Sequence, residues 1–282
     1  MKKIIFVIVL IELFIMMYSK EIIKEFSLTI NVCIYSLMPT LFFQIFLSNI
    51  LFNLDISKYI PKRICTFFNI TKDELVIILL SMFSGYPNNT RLLNNSTNEY
   101  LYYVSNYVNP MFIIGTVGTI YLHNKSISII ILISHIISNI IMLFIFRGKY
   151  KPYKYRKNIT NNLYINSINN TVKSLTIIFS NLLIISLLVT IIKLILKNNL
   201  IRCVILGLIE FSKGCYEISL LNISIYLKGL IILIFITFGS ISIHMQMLSF
   251  NNKIKYIKFL LLRILNVLIS IIIYFLLLMY KI

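Results

Sequence analysis

Glu210 and Glu217 are the only acids in the second half of the chain, and both stand in apolar sequence. An ionised carboxylate at the centre of a membrane-inserted helix costs about 2.5 to 3.5 kcal/mol, so such groups are paired, protonated or functional. Glu210 precedes a break at Gly214 and is a candidate for proton coupling or gating. Lys213, three residues on, would share a helix face with Glu210, which makes a structural ion pair the competing reading. His244 and Gln246 follow Gly239-Ser240, alternate with apolar residues and could face a cavity. For His244 the alternative is a histidine hydrogen-bonded into structure. His135 and Arg263 fall on the last apolar stretch of each half and could hold the halves together.

Four interruptions would place polar backbone at membrane depth: Met38-Pro39-Thr40, Ser84-Gly85-Tyr86-Pro87, Val108-Asn109-Pro110-Met111 and Phe238-Gly239-Ser240. Proline removes a donor and blocks the helix behind it, glycine lets the chain turn, and the freed backbone groups must find partners in protein, water or ligand. Such breaks can aim half-helix N-termini at anionic groups near the midplane. A kink that merely suits helix packing is the simpler alternative at any one of them.

The elements that must position these residues are set by composition. Of 282 residues, 59% are hydrophobic, against roughly 45 to 50% in soluble domains. Lipid is the expected solvent. Apolar stretches at 30–52, 99–122, 127–146, 172–196, 223–248 and 259–280 are each long enough to cross a hydrocarbon core. A first stretch at 4–17, behind Lys2-Lys3, reads as an uncleaved helix rather than a signal peptide because no small-residue cleavage site follows it. Two further stretches, 75–87 and 204–221, are short or interrupted and read as re-entrant. The expected fold is an all-α polytopic membrane protein of about seven transmembrane helices plus two re-entrant or broken segments.

The formal charge of +18 suggests nucleic acid at first sight. The basic residues flank apolar spans, however, so anionic headgroups are the expected partners and nucleic acid is not. The acid-free run Arg147, Lys149, Lys151, Lys154, Arg156 and Lys157 marks a cytoplasmic loop. From it follow an N-terminal helix (1–25), a first repeat (26–147), the basic loop (148–171) and a second repeat (172–282). Three crossings per repeat is an odd number, so the repeats would be inverted, as in many secondary transporters. Cys33, Cys65, Cys203 and Cys215 lack metal or redox spacing. No P-loop, H-E-x-x-H or G-x-S-x-G occurs. The expectation is a permease that is not an enzyme and carries no cofactor.

Leu37-Met38-Pro39-Thr40-Leu41-Phe42, Phe83-Ser84-Gly85-Tyr86-Pro87, Asn109-Pro110-Met111 running to Gly115-Thr116-Val117-Gly118, Gly207-Leu208-Ile209-Glu210 and Ser242-Ile243-His244-Met245-Gln246 together resemble the YlbJ-type sporulation integral membrane proteins, which carry a nucleoside-recognition or gate domain. After Tyr86-Pro87 that family usually continues Val-Gly-Ala-Lys, whereas here Asn88-Asn89-Thr90-Arg91 stands. The resemblance implies movement of dipicolinate, a flat dianion, across the outer forespore membrane of a spore-forming bacterium. Tyr86, Asn88, Asn89, Arg91, Asn109 and Lys213 are the candidates to meet such an anion, with lipid snorkelling as the alternative for Arg91 and Lys213. A nucleoside or nucleobase permease and a non-transporting component of spore envelope assembly are the rival readings.

Overall fold

The computed structural model describes residues 2–54, 56–86, 88–93, 99–149, 162–250 and 254–280. These residues are helical with short connections, and no strand occurs among them. In chain order the helices are α1 (Lys2–Met17), α2 (Ser19–Asn31), α3 (Met38–Asn53), α4 (Lys62–Phe68), α5 (Lys72–Ser84), α6 (Asn88–Leu93), α7 (Glu99–Val104), α8 (Lys125–Ile145), α9 (Leu163–Ile195), α10 (Asn199–Ile209), α11 (Phe211–Ser219), α12 (Ile225–Phe238), α13 (Ile241–Phe250) and α14 (Tyr256–Met279). Wider π turns join α2 to α3 at Val32–Leu37 and build Phe112–Tyr121.

The chain is an integral membrane protein by the length and composition of its helices. Among the described residues α8, α9, α14 and the joined pair α12–α13 (Ile225–Phe250) are long and apolar enough to cross on their own. Ser19–Tyr35 and Met38–Asn53, bent by 47°, make a fifth span if counted as one. The other two of the seven expected crossings are not single spanning helices. α1 has 16 residues, about 24 Å of helix, and its apolar side chains are exposed, as lipid contact requires. The 99–122 stretch is not one helix, because Ser105 to Asn109 are not helical and separate α7 from the turn that begins at Pro110. Proline has no N–H to give, so Pro110 suits the first turn of a new helix and forbids continuation of the old one.

Local chemistry fixes the remaining ends. Thr71 and Glu74 form a reciprocal capping box that starts α5, and the side chains of Asn124 and Asn198 accept from Ile127 and Ile201 N–H to start α8 and α10. α12 stops at Gly239, whose φ of +82° favours glycine. The 75–87 stretch is the body of α5 and the break that follows it, with α6 packed on α5 beyond that break as a short hairpin, and the 204–221 stretch folds as a second short hairpin, α10–α11. In the second, Gly214 lies so close to Gly207, and both to Phe235 on α12, that neither position has room for a side chain. In chain order α3 is followed by α4, the α5–α6 hairpin, the broken segment of α7 and Phe112–Tyr121, and α8, while α9 is followed by the α10–α11 hairpin, the pair α12–α13 and α14. Helix α2 runs through residue 25 without a boundary; residues 150–161 of the basic loop, including Lys151, Lys154, Arg156 and Lys157, lie outside the described residues, and from Leu163 the rest of that loop is already α9.

Candidate functional site

The breaks meet. Gly85, at φ +68° and ψ −168°, ends α5 in a conformation open essentially to glycine alone. A side chain there would meet the backbone N of Asn109 at 2.7 Å. One residue on, Tyr86 N–H donates to Tyr107 C=O at 3.0 Å, so the first hairpin and the extended segment are joined through their backbones. The Tyr86 ring continues to the third break, where a side chain on Gly239 would lie 2.8 Å from its hydroxyl oxygen.

Backbone left without a helix must be satisfied inside lipid, and side chains supply the partners. Asn89 Nδ2 donates to Ser105 C=O at 2.7 Å and to Asn106 Oδ1 at 3.0 Å. Asn106 returns to Tyr102 C=O, and Val108 N–H donates to His135 Nε2 at 3.0 Å. Asn109 Oδ1 accepts from Met111 N–H at 2.7 Å, while its Nδ2 reaches Thr40 C=O, just past Pro39, at 3.4 Å. At the Gly239 break the freed carbonyls of Thr237 and Phe238 accept from Arg263, a fully buried residue of α14. Arg263 also donates to Tyr86 Oη at 2.8 Å and to Asn139 Oδ1 at 3.4 Å. A guanidinium at the carboxyl end of α12 is favoured by the helix dipole, and among the described residues it meets no carboxylate.

These elements enclose a central cavity of about 40 Å³, lined among others by Leu41, Tyr86, Asn109, Glu210, Ser212 and Gln246. That is room for about one water molecule. Glu210, 1% exposed, is the N-cap of α11: its Oε2 accepts from Lys213 N–H at 2.7 Å and from Ser212 Oγ at 2.6 Å. Its Oε1 has no hydrogen-bond partner, and neither does Gln246 Oε1, although Gln246 Nε2 donates to Ser242 Oγ at 3.3 Å. Two buried acceptors on one small cavity, each costly to leave unpaired, make a site for a ligand, water or proton that donates.

Other sequence candidates are placed elsewhere. Arg91, at the end of α6, donates to Asn88 Oδ1 at 2.8 Å and to Asn49, and Asn49 in turn bonds Thr171 Oγ1 on α9 at 3.0 Å. Ser84 accepts from Asn88 at 3.0 Å, so these three residues tie the first hairpin to α3 and α9. His244 bridges Phe238 C=O and Tyr256 Oη at 3.2 Å each and does not line the cavity. Lys213 does not give its ammonium to Glu210, as helix spacing had suggested, because only its backbone N–H does so. Its Nζ crosses to Glu25 on α2 and to Thr29 Oγ1 at 2.8 Å. Pro87 lies outside the described residues.

No family model, curated protein or solved structure matches the chain. The site therefore has to be argued from its own chemistry. Sequence reasoning passed over Ser212, Glu25 and Lys193. The signal for Glu25 was present: Glu21, Glu25 and Thr29 recur every four residues on α2, a polar stripe on a helix beside apolar ones.

Proposed function

We propose that the chain is a membrane transporter of a small solute, with the solute handled where the two helical hairpins and two broken helices meet. The observation that carries this reading is that both element series contribute to one cavity. Tyr86 and Asn109 come from the first series and Glu210 and Gln246 from the second, the arrangement expected of two inverted repeats around a midplane site. The seven crossings and the inverted orientation belong to the same proposal. Helix α9 provides a ruler: from Thr171, beside the Arg91 cluster, to Lys193 is about 33 Å of helix, close to one hydrocarbon thickness. Ile178 and Leu182, which line the cavity, fall between.

The resemblance to the YlbJ-type family points to a small organic anion, dipicolinate, moved across the outer forespore membrane during sporulation. In this reading Glu210 is the proton-coupling or gating residue, because a carboxylate beside an anion site has to be neutralised when the anion arrives. A second reading is favoured by the partnerless Glu210 and Gln246 oxygens, which suit the N–H and O–H groups of a nucleoside or nucleobase. A membrane component of spore envelope assembly that moves nothing is the reading to be eliminated. No catalytic role is proposed.

Proteoliposomes separate them. Labelled dipicolinate and uridine are offered at acid and neutral pH to wild type and to Glu210→Gln. Anion transport predicts dipicolinate uptake that rises toward acid pH and is slowed or made pH-independent by the substitution. Uptake of uridine alone selects the second reading. Uptake of neither by a folded, inserted protein rejects both substrates and favours the structural component.

A further inference from the structure

Glu210 is a buried carboxylate that forms no ion pair among the described residues. The charges next to it in sequence and space are already matched, because Lys193 and Lys213 are taken by Glu25 and Glu217. Arg263 is engaged with four neutral oxygens and does not line the central cavity. Glu210 Oε2 accepts from Lys213 N–H and Ser212 Oγ, which leaves Oε1 bare. Gln246, on α13, brings a second bare oxygen to the same cavity, with its amide oriented by the bond from Nε2 to Ser242 Oγ. Both residues are 1% exposed.

We infer that the central cavity binds one sodium ion, held by Glu210 Oε1 and Gln246 Oε1. A lone carboxylate in the core of a membrane protein has to be neutralised, and buried acceptors without donors are costly. A proton on Glu210 meets the first need but fills none of the open volume of about 40 Å³. A water molecule fills that volume and can donate to both oxygens, but it leaves the charge. A small monovalent cation answers both needs. A divalent ion would leave a net positive charge in the same core, and the larger potassium ion suits a wider cage of carbonyl oxygens. The donors fit as well: a carboxylate and an amide carbonyl are hard oxygen ligands, and no cysteine or histidine is among the described residues that line the cavity. Helix α10 ends at Ile209, beside Glu210, and the carboxyl end of a half-helix is where transporters hold a cation. Ser212 lines both this cavity and a second one of about 400 Å³, bordered by Glu25 and Glu217, which gives an ion a polar way in. The inference rests on the transporter reading only for the ion's purpose, which is to neutralise Glu210 in place of a proton; binding is measurable without transport.

The test is equilibrium binding of radioactive sodium, offered as sodium chloride, to the purified full chain in uncharged detergent at neutral pH, with choline chloride holding the ionic strength constant. Saturable binding of one ion per chain is expected, displaced by lithium and far less by potassium. Glu210→Gln keeps an oxygen to cap α11 but loses the charge, so it should fold and bind at least about tenfold more weakly. Gln246→Met removes a neutral oxygen and should weaken binding about three- to tenfold. Absence of saturable binding by folded wild type means that the cavity holds water or a proton only, and overturns the inference. Binding of unchanged strength in folded Glu210→Gln overturns it too, as does unchanged binding in Gln246→Met should the first variant not fold. Potassium displacing sodium as well as lithium does would remove the argument from size, and with it the site. Proteoliposome flux keeps this claim apart from the transporter reading. Sodium binding with the expected variant effects but no flux of any solute sinks only that reading, while solute flux that is equal in sodium and in choline, with no sodium bound, sinks only the ion site.

Discussion

Gly239→Ala tests whether the breaks really close on one another. Two costs add at this position. The first is conformational: an L residue forced to φ +82° pays about 1 to 2 kcal/mol that glycine does not. The second is steric, because the new Cβ would sit 2.8 Å from Tyr86 Oη. Tyr86 cannot swing aside cheaply, since its hydroxyl accepts from Arg263 at 2.8 Å and the residue is buried. Overpacking of this kind costs about 1 to 3 kcal/mol, so the substitution should destabilise by about 2 to 5 kcal/mol in all. Reversible unfolding by SDS titration in mixed micelles, followed by far-UV circular dichroism, measures it. A partner variant divides the sum: Tyr86→Phe removes the clashing oxygen, and in Gly239→Ala/Tyr86→Phe only the backbone cost should remain. The double-mutant cycle should then show about 1 to 3 kcal/mol of coupling, the steric part alone, with the pair costing less than the sum of the singles. A single variant within 0.5 kcal/mol of wild type (on the order of ordinary surface substitutions), or a cycle with no coupling, would refute the claim that Tyr86 packs into the Gly239 break.

Two further outcomes are expected from the same titration. Arg263→Met should cost more than about 3 kcal/mol, since a buried charged donor with four oxygen acceptors is removed and each such bond is worth about 1.5 to 3 kcal/mol; Arg91→Gln, at a residue that is only half-buried, should cost clearly less, and the reverse order would mean that the Gly239 break does not depend on Arg263. Glu99 heads α7 where α8 ends and α14 begins, outside the spanning helices, and the Tyr103 hydroxyl that donates to it, with Lys258 and Lys255 nearby, holds its carboxyl below the usual carboxylate range. A lowered carboxyl stabilises the fold above that range and ceases to as pH falls through it, so the stability difference between wild type and Glu99→Gln should shrink on acidification; a difference independent of pH would remove the electrostatic account.

The chain breaks were legible because proline and glycine act through covalent geometry, which neighbours cannot override. Pro110 ends one helix and begins another whatever surrounds it, and Gly85 and Gly239 sit at positive φ where a side chain would be strained. The partners of the charges were not legible, for a reason the two readings of Lys213 make plain. Helix spacing put its ammonium beside Glu210, three residues back. The chain turns at Glu210, whose carboxylate is occupied in capping α11, and the flexible stem of Lys213 carries its charge about 190 residues away in sequence to Glu25. Periodicity describes one helix at a time and cannot say which helix comes alongside. The 99–122 stretch shows the same limit in reverse: its hydropathy is that of a span, but five residues within it leave the helix, where Asn89 and His135, from elsewhere in the chain, bond the Ser105 carbonyl and the Val108 N–H.

The distribution of bonds also decides which hairpin can move. A cavity of about 40 Å³ cannot pass a solute, so the proposed transport would need a second arrangement of the same elements. The first hairpin is fastened at several points: by backbone at Tyr86 and Tyr107, by Asn89 to the extended segment, by Arg91 to Asn49 and by Tyr86 to Arg263. Breaking these together would strand buried polar groups in lipid, each at a cost of several kcal/mol (roughly, per group). The second hairpin is different in kind. Its hydrogen bonds at Glu210 are internal to it and travel with it, its glycines pack on each other and on Phe235 of α12, and among the described residues its polar ties to other helices are ion pairs at Lys213 and Glu217, together with the Lys213 bond to Thr29 and the bond from Lys228 to Ser219. Glu25, Lys193, Lys213 and Glu217 border a cavity of about 400 Å³, so these ion pairs face open space rather than close-packed side chains. On the proposed transporter reading, opening by the α10–α11 hairpin would break fewer hydrogen bonds to other helices than opening by the α5–α6 hairpin, and Glu210 would move with it.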